Sequence, residues 1–340
     1  MARANETPPF WWEQADWRAR ALTPAARLYG AVAAYRLRRA RRTPVPAPVL
    51  CIGNFTVGGS GKTPVALRLA RGALAAGLTP GFLSRGYGGH VGRARLVEDG
   101  DDARLAGDEP MLLAQAAPVA VGADRAAGAR LLIAEGVDFI IMDDGFQSGR
   151  ILMDYTLVIA DGRRGAGNGH VIPAGPLRAP LIEQLHYADA LTVIGDGNGA
   201  DKLVRMAARA AKPVYRAAFT IVPGHGLNQR RVLAFAGIGD PQRFFRTVAR
   251  AGALVEETRI FPDHHPYSDE AIAEMATEAK RRGLDLVTTQ KDAVRLEAGS
   301  PKARQFRRSV KTLKIDVAFE EPDRARNLIE ETRSRYRARL

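Results

Sequence analysis

TVGGSGKT, residues 56–63, is the stretch that decides the fold of this 340-residue chain. It follows the apolar run VLCIG at 49–53 and precedes a helical pattern opening at Pro64, so strand, glycine loop and helix succeed one another. This layout holds phosphate. Glycines at 58, 59 and 61 let backbone N–H groups approach an anion, and the helix start adds its positive dipole end. Thr56, Val57, Gly58, Gly59, Ser60, Gly61, Lys62 and Thr63 are therefore candidate nucleotide ligands, with Lys62 reaching the β and γ phosphates and Thr63 offering its hydroxyl to Mg²⁺. One position departs from the GxxxxGK[ST] pattern: Thr56 stands where the first glycine belongs.

Around that loop, short apolar runs alternate with helical patterns. Strands are expected at 48–53, 80–84, 117–122, 137–143, 156–161, 190–195 and 213–219, with helices at 64–76, 109–116, 124–135 and 200–211. This rhythm predicts an α/β fold, a P-loop NTPase-like, doubly wound, mainly parallel sheet over residues 41–222. A turn cluster, PGHG, opens a linker at 223–232 that could form a β-hairpin. The pattern then restarts over 233–340 as a smaller α/β domain, with strands near 231–237, 285–289 and 310–318, helices at 241–251 and 268–282, and a charged C-terminal helix.

Composition narrows the classes. Hydrophobic residues make up 46% and charged ones 26%, a globular balance. A single cysteine, Cys51, excludes a disulfide framework and a thiolate metal cluster, and reads as a core residue. The net charge of +13 is uneven: the first 50 residues carry nine arginines against three acids. That arm, residues 1–40 with RLRRARR at 36–42, also holds all three tryptophans. Its longest uncharged apolar run spans eight residues, 28–35, whereas a membrane-spanning helix needs about 20. Neither a spanning helix nor a signal peptide is expected. The arm reads as an amphipathic helix lying on anionic phospholipid, with docking on the protein's own core as the alternative.

Several motifs fall at expected strand ends, where open α/β sheets bind ligands. FIIMDDGFQ at 139–147 closes a buried strand with Asp143 and Asp144, carboxylates suited to Mg²⁺ directly or through water. GDEP at 107–110 precedes an apolar helix; Asp108 could cap it or take a proton from an incoming hydroxyl. SRGYGG at 84–89 brings Arg85 to the same edge as a phosphate or substrate contact. Residues 167–178 form an irregular glycine and proline loop long enough to be functional. Asp263, His264 and His265 admit a metal pair, an interdomain hydrogen bond or a plain loop; adjacent histidines point apart in regular elements, which disfavours zinc.

Taken in order, NFTVGGSGKTP, SRGYGG, GDEP, DDGFQ, the GNG and PAGPLR loop, FAGIGDPQRFF and FPDHHPYSD resemble the tetraacyldisaccharide 4'-kinase family, from about residue 10 to the C-terminus. Thr56 at the first loop position is usual in that family. The resemblance implies transfer of the γ-phosphate of ATP, with Mg²⁺, to the 4'-hydroxyl of a tetraacylated glucosamine disaccharide 1-phosphate, forming lipid IVA in lipid A biosynthesis. It further implies a peripheral enzyme at the cytoplasmic face of the bacterial inner membrane. By motif position Asp108 is the catalytic base, with His264 its partner from the second domain and Lys62 beside them; Glu109, Asp143, Asp144 and Gln147 organise metal and nucleotide. TTQKDAVRL, 288–296, carries Gln290 where the family usually has glutamate.

Two rival readings are a GTPase, since Thr289 to Asp292 fits a loose guanine-reading pattern, and a membrane-organising regulatory ATPase. The first pattern lies about 230 residues beyond the loop, and the second usually carries a lysine where Val57 stands. Nucleic-acid binding ranks last, because the charge sits on a tryptophan-bearing arm without a recognition module. No obligate protein partner is expected.

Overall fold

The fold, given by a computed structural model, is described for residues 7–86, 93–98, 101 and 103–340; Tyr87, Gly88 and Gly89 of the SRGYGG stretch lie outside the described residues. Val49–Asn54 (β1) is buried along its whole length, as an unbroken apolar run in a sheet covered on both faces must be. The other strands are Pro80–Ser84 (β2), Arg95–Leu96 (β3), Val119–Val121 (β4), Phe139–Asp143 (β5), Tyr155–Asp161 (β6), Ala190–Ile194 (β7), Val214–Ile221 (β8), Arg231–Ala236 (β9), Leu254–Ile260 (β10), Asp285–Thr289 (β11), Val310–Leu313 (β12) and Ile315–Phe319 (β13).

Nine of them form one sheet in the order β13-β8-β7-β6-β1-β5-β2-β4-β3, and four form a second, β10-β9-β11-β12. In the first sheet β1 lies between β5 and β6 and runs parallel to both. Among the described residues only the pairs β13 with β8 and β3 with β4 are antiparallel, and the second sheet is parallel throughout. The alternation of β1 sorts its side chains onto two cores. Leu50 and Ile52 meet Val65, Leu69 and Ala73 of helix Lys62–Ala75 and Leu328 and Ile329 of helix Arg324–Ala338. Cys51 faces the opposite core with Leu132, Ile140, Met142 and Leu203, where burial pushes its thiol pKa up.

The C-terminal segment departs from expectation. The single strand anticipated at 310–318 is two strands separated by Lys314, and they belong to different sheets. β12 completes the smaller sheet, while β13 turns back to pair antiparallel with β8, so residues 315–338 pack on the nucleotide-loop side rather than with the smaller sheet. No hairpin spans the turn at 223–226, because β8 and β9 lie in different sheets.

The arginine-rich arm is a helix, Trp17–Arg39, capped by Asp16, whose carboxylate accepts from the backbone N–H groups of Arg18 and Ala19. Ala19, Ala26, Gly30, Ala34 and Leu37 form its buried face. Trp17 (75% exposed), Leu28 (70%), Val32 and Tyr35 (62%) line the opposite side. The helix thus docks on the protein's own core through a face of small residues, the alternative expected for it, and leaves an outward apolar stripe flanked by arginines. No described helix is long and apolar enough to cross a membrane.

Candidate active site

Because β1, β2, β4 and β5 are parallel, their C-terminal ends converge on one edge. The loop after β1 ends at Gly61, whose φ of 90° a side chain would disfavour, and helix Lys62–Ala75 starts there. A β-carbon at Gly61 would also stand 2.6 Å from Phe219 Cζ. The loop's outer rim is stitched to the 167–178 loop: Val57 N–H donates to Pro176 O at 2.8 Å, and Arg178 Nε to Thr56 O at 3.1 Å. Trp11 docks on the same loop through its indole N–H to Pro173 O at 3.0 Å. The irregular loop thus braces the phosphate loop and the arm together.

Residues 57–63, Arg85, Glu109, Asp144, Gln147 and His264 line a cavity of about 950 Å³ that extends to Tyr29, Val32 and Arg36 on the arm helix. Lys62 Nζ stands 3.6 Å from Asp144 Oδ1, and Arg178 grips the same carboxylate with both terminal nitrogens, at 3.0 and 3.2 Å. Burial alone would raise the Asp144 pKa, but these two cations outweigh it and hold the carboxyl well below the usual range. Gln147 donates to Asn54 O at 2.7 Å and to Gln184 Oε1 at 2.9 Å, which fixes the strand end rather than reaching far into the cavity.

Asp143 behaves differently from its neighbour. It is buried, with Oδ2 3.5 Å from Thr63 Oγ1, and Oδ1 has no hydrogen-bond partner among the described residues. Burial, joined by the nearby Glu109 charge, pushes its pKa up to about 7. A buried carboxylate oxygen without a donor is costly. An Mg²⁺ ion suits it, because the available donors, Asp143, Thr63 and Glu109, are hard oxygens. Among the described residues no group of three or more His, Cys, Asp or Glu side chains gathers, so an ion held here would take further oxygen ligands from nucleotide phosphates and water. Ser60 Oγ is likewise buried without a partner among the described residues, in the position a phosphate oxygen would satisfy.

Both sheets build the opposite wall: Asp108 precedes β4 of the larger sheet, and His264 follows β10 of the smaller one. Asp108, at the start of helix Asp108–Ala114, is buried, and its Oδ2 lies 2.8 Å from His264 Nδ1. His264 adopts a φ of 59° and its N–H is bonded to Gly237 O, a sharp turn that aims the ring across the cleft. Burial would raise Asp108, but His264 and Arg295 outweigh it and keep the pKa low. The same hydrogen bond raises the His264 pKa. Next to Asp108, Glu109 Oε1 meets Lys291 Nζ at 2.5 Å, and that ammonium lowers the Glu109 pKa. Arg85 stands in the cavity wall.

Of the expected site residues, Thr56 to Thr63, Arg85, Asp108, Glu109, Asp143, Asp144, Gln147 and His264 are brought to this cleft. Sequence reasoning missed Arg178, Lys291, Asp292 and Arg295. The last three stand in TTQKDAVRL, where a guanine-reading pattern drew notice instead. Asp292 is not free to read a base, since Tyr267, Gly237 N–H and Arg295 bond its Oδ1 and Thr289 its Oδ2, all away from solvent. Gln290 accepts from Ile315 N–H at 3.1 Å, which ties the helix to β13. Asp263 sits 3.7 Å from His264 Nε2, and His265 stacks on Phe261.

Comparison with known proteins agrees with this geometry. The family described as tetraacyldisaccharide-1-P 4'-kinase matches residues 18–333. A tetraacyldisaccharide 4'-kinase of Chelativorans sp. is 51% identical over 99% of this chain and 98% of its own length. The Sinorhizobium fredii protein of the same name is 52% identical over 98% and 97%. Among solved structures, the "apo" form of LpxK from Aquifex aeolicus in complex with ATP superimposes with a TM-score of 0.74 at 27% identity, covering 92% of this chain and 99% of that one. The chain belongs to the tetraacyldisaccharide-1-P 4'-kinase family.

Proposed function

We propose that this chain carries out its family's reaction, transfer of the γ-phosphate of ATP to the 4'-hydroxyl of tetraacyldisaccharide 1-phosphate, with Asp108 as the base and His264 as its partner. The observation that carries the reading is the 2.8 Å Asp108–His264 contact facing the phosphate loop across a cleft. ATP lies with its phosphates over residues 56–63, Lys62 and Arg85 offering positive charge to the β and γ groups. Asp143, Thr63 and Glu109 would hold Mg²⁺, which would supply neutralisation of the phosphate charge, and Asp144 holds Lys62 in place.

The acceptor hydroxyl attacks phosphorus as Asp108 takes its proton, and ADP leaves with the electron pair of the broken P–O bond. His264 shares that proton and steadies the carboxylate. A loose transition state asks little of the base before bond formation, so a low Asp108 pKa is compatible with this role. We further assign residues 41–222, completed by 315–338, and residues 233–313 as two domains whose closure sets the cleft.

The acceptor is acylated, and the arm helix carries the outward stripe of Trp17, Leu28, Val32 and Tyr35 with arginines on both flanks. An anionic membrane surface suits that stripe, with the aromatic rings at headgroup level. The cavity that His264 lines also reaches Tyr29, Val32 and Arg36 of this helix, so the arm and the phosphate loop border one cleft in which an acylated acceptor could lie. On this reading the enzyme works at the cytoplasmic face of the inner membrane, where ATP is present. The discriminating experiment compares ATP and GTP as donors, with and without the disaccharide. Donor hydrolysis independent of the lipid would reject a kinase in favour of a regulatory ATPase, and preference for GTP would reject ATP as the donor.

A further inference from the structure

We infer that Arg295, anchored by Asp292, is a positioning residue that builds the Asp108–His264 pair from the second sheet. Arg295 Nε donates to Asp108 Oδ2 at 2.5 Å, from a side chain only 4% exposed. One terminal nitrogen donates to Asp292 Oδ1 at 2.7 Å and to Gly237 O at 2.6 Å. Gly237 O also accepts from the His264 N–H, so one guanidinium holds Asp108 directly and shares an anchor with the turn that carries His264. Asp292 is itself fixed by Tyr267 Oη at 2.8 Å, Gly237 N–H at 3.1 Å and Thr289 Oγ1 at 2.6 Å. Gly237 is pressed from three sides: a β-carbon there would meet an Arg295 terminal nitrogen and Pro262 O at 3.1 Å and Asp292 Oδ1 at 3.3 Å.

The consequence lies in which oxygen is left over. Arg295 and His264 both take Asp108 Oδ2, whereas Oδ1 accepts no hydrogen bond among the described residues. Arg295 therefore selects the carboxylate rotamer, leaving Oδ1 for the acceptor hydroxyl. A residue bonded at once to the base and to the anchor of its partner enforces the sub-ångström placement that phosphoryl transfer needs. This inference rests on Asp108 being the base.

Full-length Arg295→Gln, Arg295→Lys, Asp108→Asn and the double variant Asp108→Asn/Arg295→Gln separate the possibilities, with circular dichroism and ATP-analogue binding as fold controls. Arg295→Gln is expected to lower kcat roughly 100-fold while ATP KM stays within about twofold, since a misplaced base costs rate and leaves the nucleotide loop untouched. Arg295→Lys, which keeps one donor, is expected to recover about tenfold of that loss. In the Asp108→Asn background, Arg295→Gln is expected to add less than about threefold, because residues acting as one unit are not additive. Wild-type kcat in Arg295→Gln overturns the inference, as do losses that multiply in the double variant. Should Arg295→Gln fail to fold, Asp292→Asn keeps the shape, weakens the anchor and must reproduce the kcat loss. A fully active Asp108→Asn would remove the base reading and this inference together; an inactive Asp108→Asn beside a normal Arg295→Gln removes this inference alone.

Discussion

His264→Ala removes the 2.8 Å hydrogen bond to Asp108 and leaves that carboxylate with Arg295 alone. A hydrogen bond to a charged group contributes about 1.5–3 kcal/mol, equivalent to a rate factor of roughly 10 to 150 if it is fully expressed in the transition state. The imidazole is 27% exposed, so water replaces part of the lost interaction and the lower end applies. The expected loss in the chemical step is therefore about 10- to 30-fold. Nucleotide affinity should change little, because the phosphate contacts proposed for residues 56–63 lie on the other wall. Rapid-quench single-turnover transfer from [γ-³²P]ATP, with enzyme in excess over ATP, isolates this step from product release. A wild-type single-turnover rate in His264→Ala would falsify the pairing of His264 with the base; a loss confined to ATP KM would move His264 to nucleotide binding.

If Asp143, its pKa pushed up to about 7, holds metal as the carboxylate as proposed, Mg·ATP binding should release about half a proton at pH 7. The release declines as pH rises above 7 and grows below it; calorimetry in buffers of different ionisation enthalpy reads it, and zero release at pH 7 would contradict the assignment. Gly61→Ala adds a β-carbon 2.6 Å from Phe219 Cζ in a left-handed conformation costing about 1–2 kcal/mol, so ATP affinity should fall at least about tenfold. Unchanged affinity in titration would show that the loop tolerates displacement. Changing Trp17, Leu28, Val32 and Tyr35 to serine removes the outward stripe of the arm helix and should reduce co-sedimentation with anionic vesicles by more than about tenfold. Retained vesicle binding would assign the stripe another partner.

What sequence made legible was local. The loop from Thr56 to Thr63 announces itself because strand, glycines, lysine and helix must be adjacent in the chain, and Asp143 and Asp144 because a fully apolar run precedes them. The strand rhythm likewise predicted the parallel sheet, since buried strands read as continuous apolar runs. Arg295 was hidden for the opposite reason: its partner Asp108 is 187 residues away, and nothing in TTQKDAVRL says which carboxylate its guanidinium will meet. The helix Gln290–Glu297 carries Lys291 and Arg295 one turn apart, and that spacing was the available signal for two cations on one face, set against the adjacent acids Asp108 and Glu109. β10 escaped notice because it is an edge strand, exposed and charged along much of its length. The run 310–318 looked like one strand because a chain crossing between sheets needs only Lys314 to turn, and hydrophobic patterning does not record which sheet a strand joins.

The most direct test of the account is transfer of label from [γ-³²P]ATP to tetraacyldisaccharide 1-phosphate by the wild-type protein and by Asp108→Ala, with ATP binding measured on the same preparations. The account predicts labelled lipid from the wild type, and from the variant normal ATP binding with transfer lowered by about 10²- to 10⁴-fold, the usual share of a general base. A folded wild type that leaves the lipid unlabelled, or an Asp108→Ala protein that labels it at the wild-type rate, would contradict it.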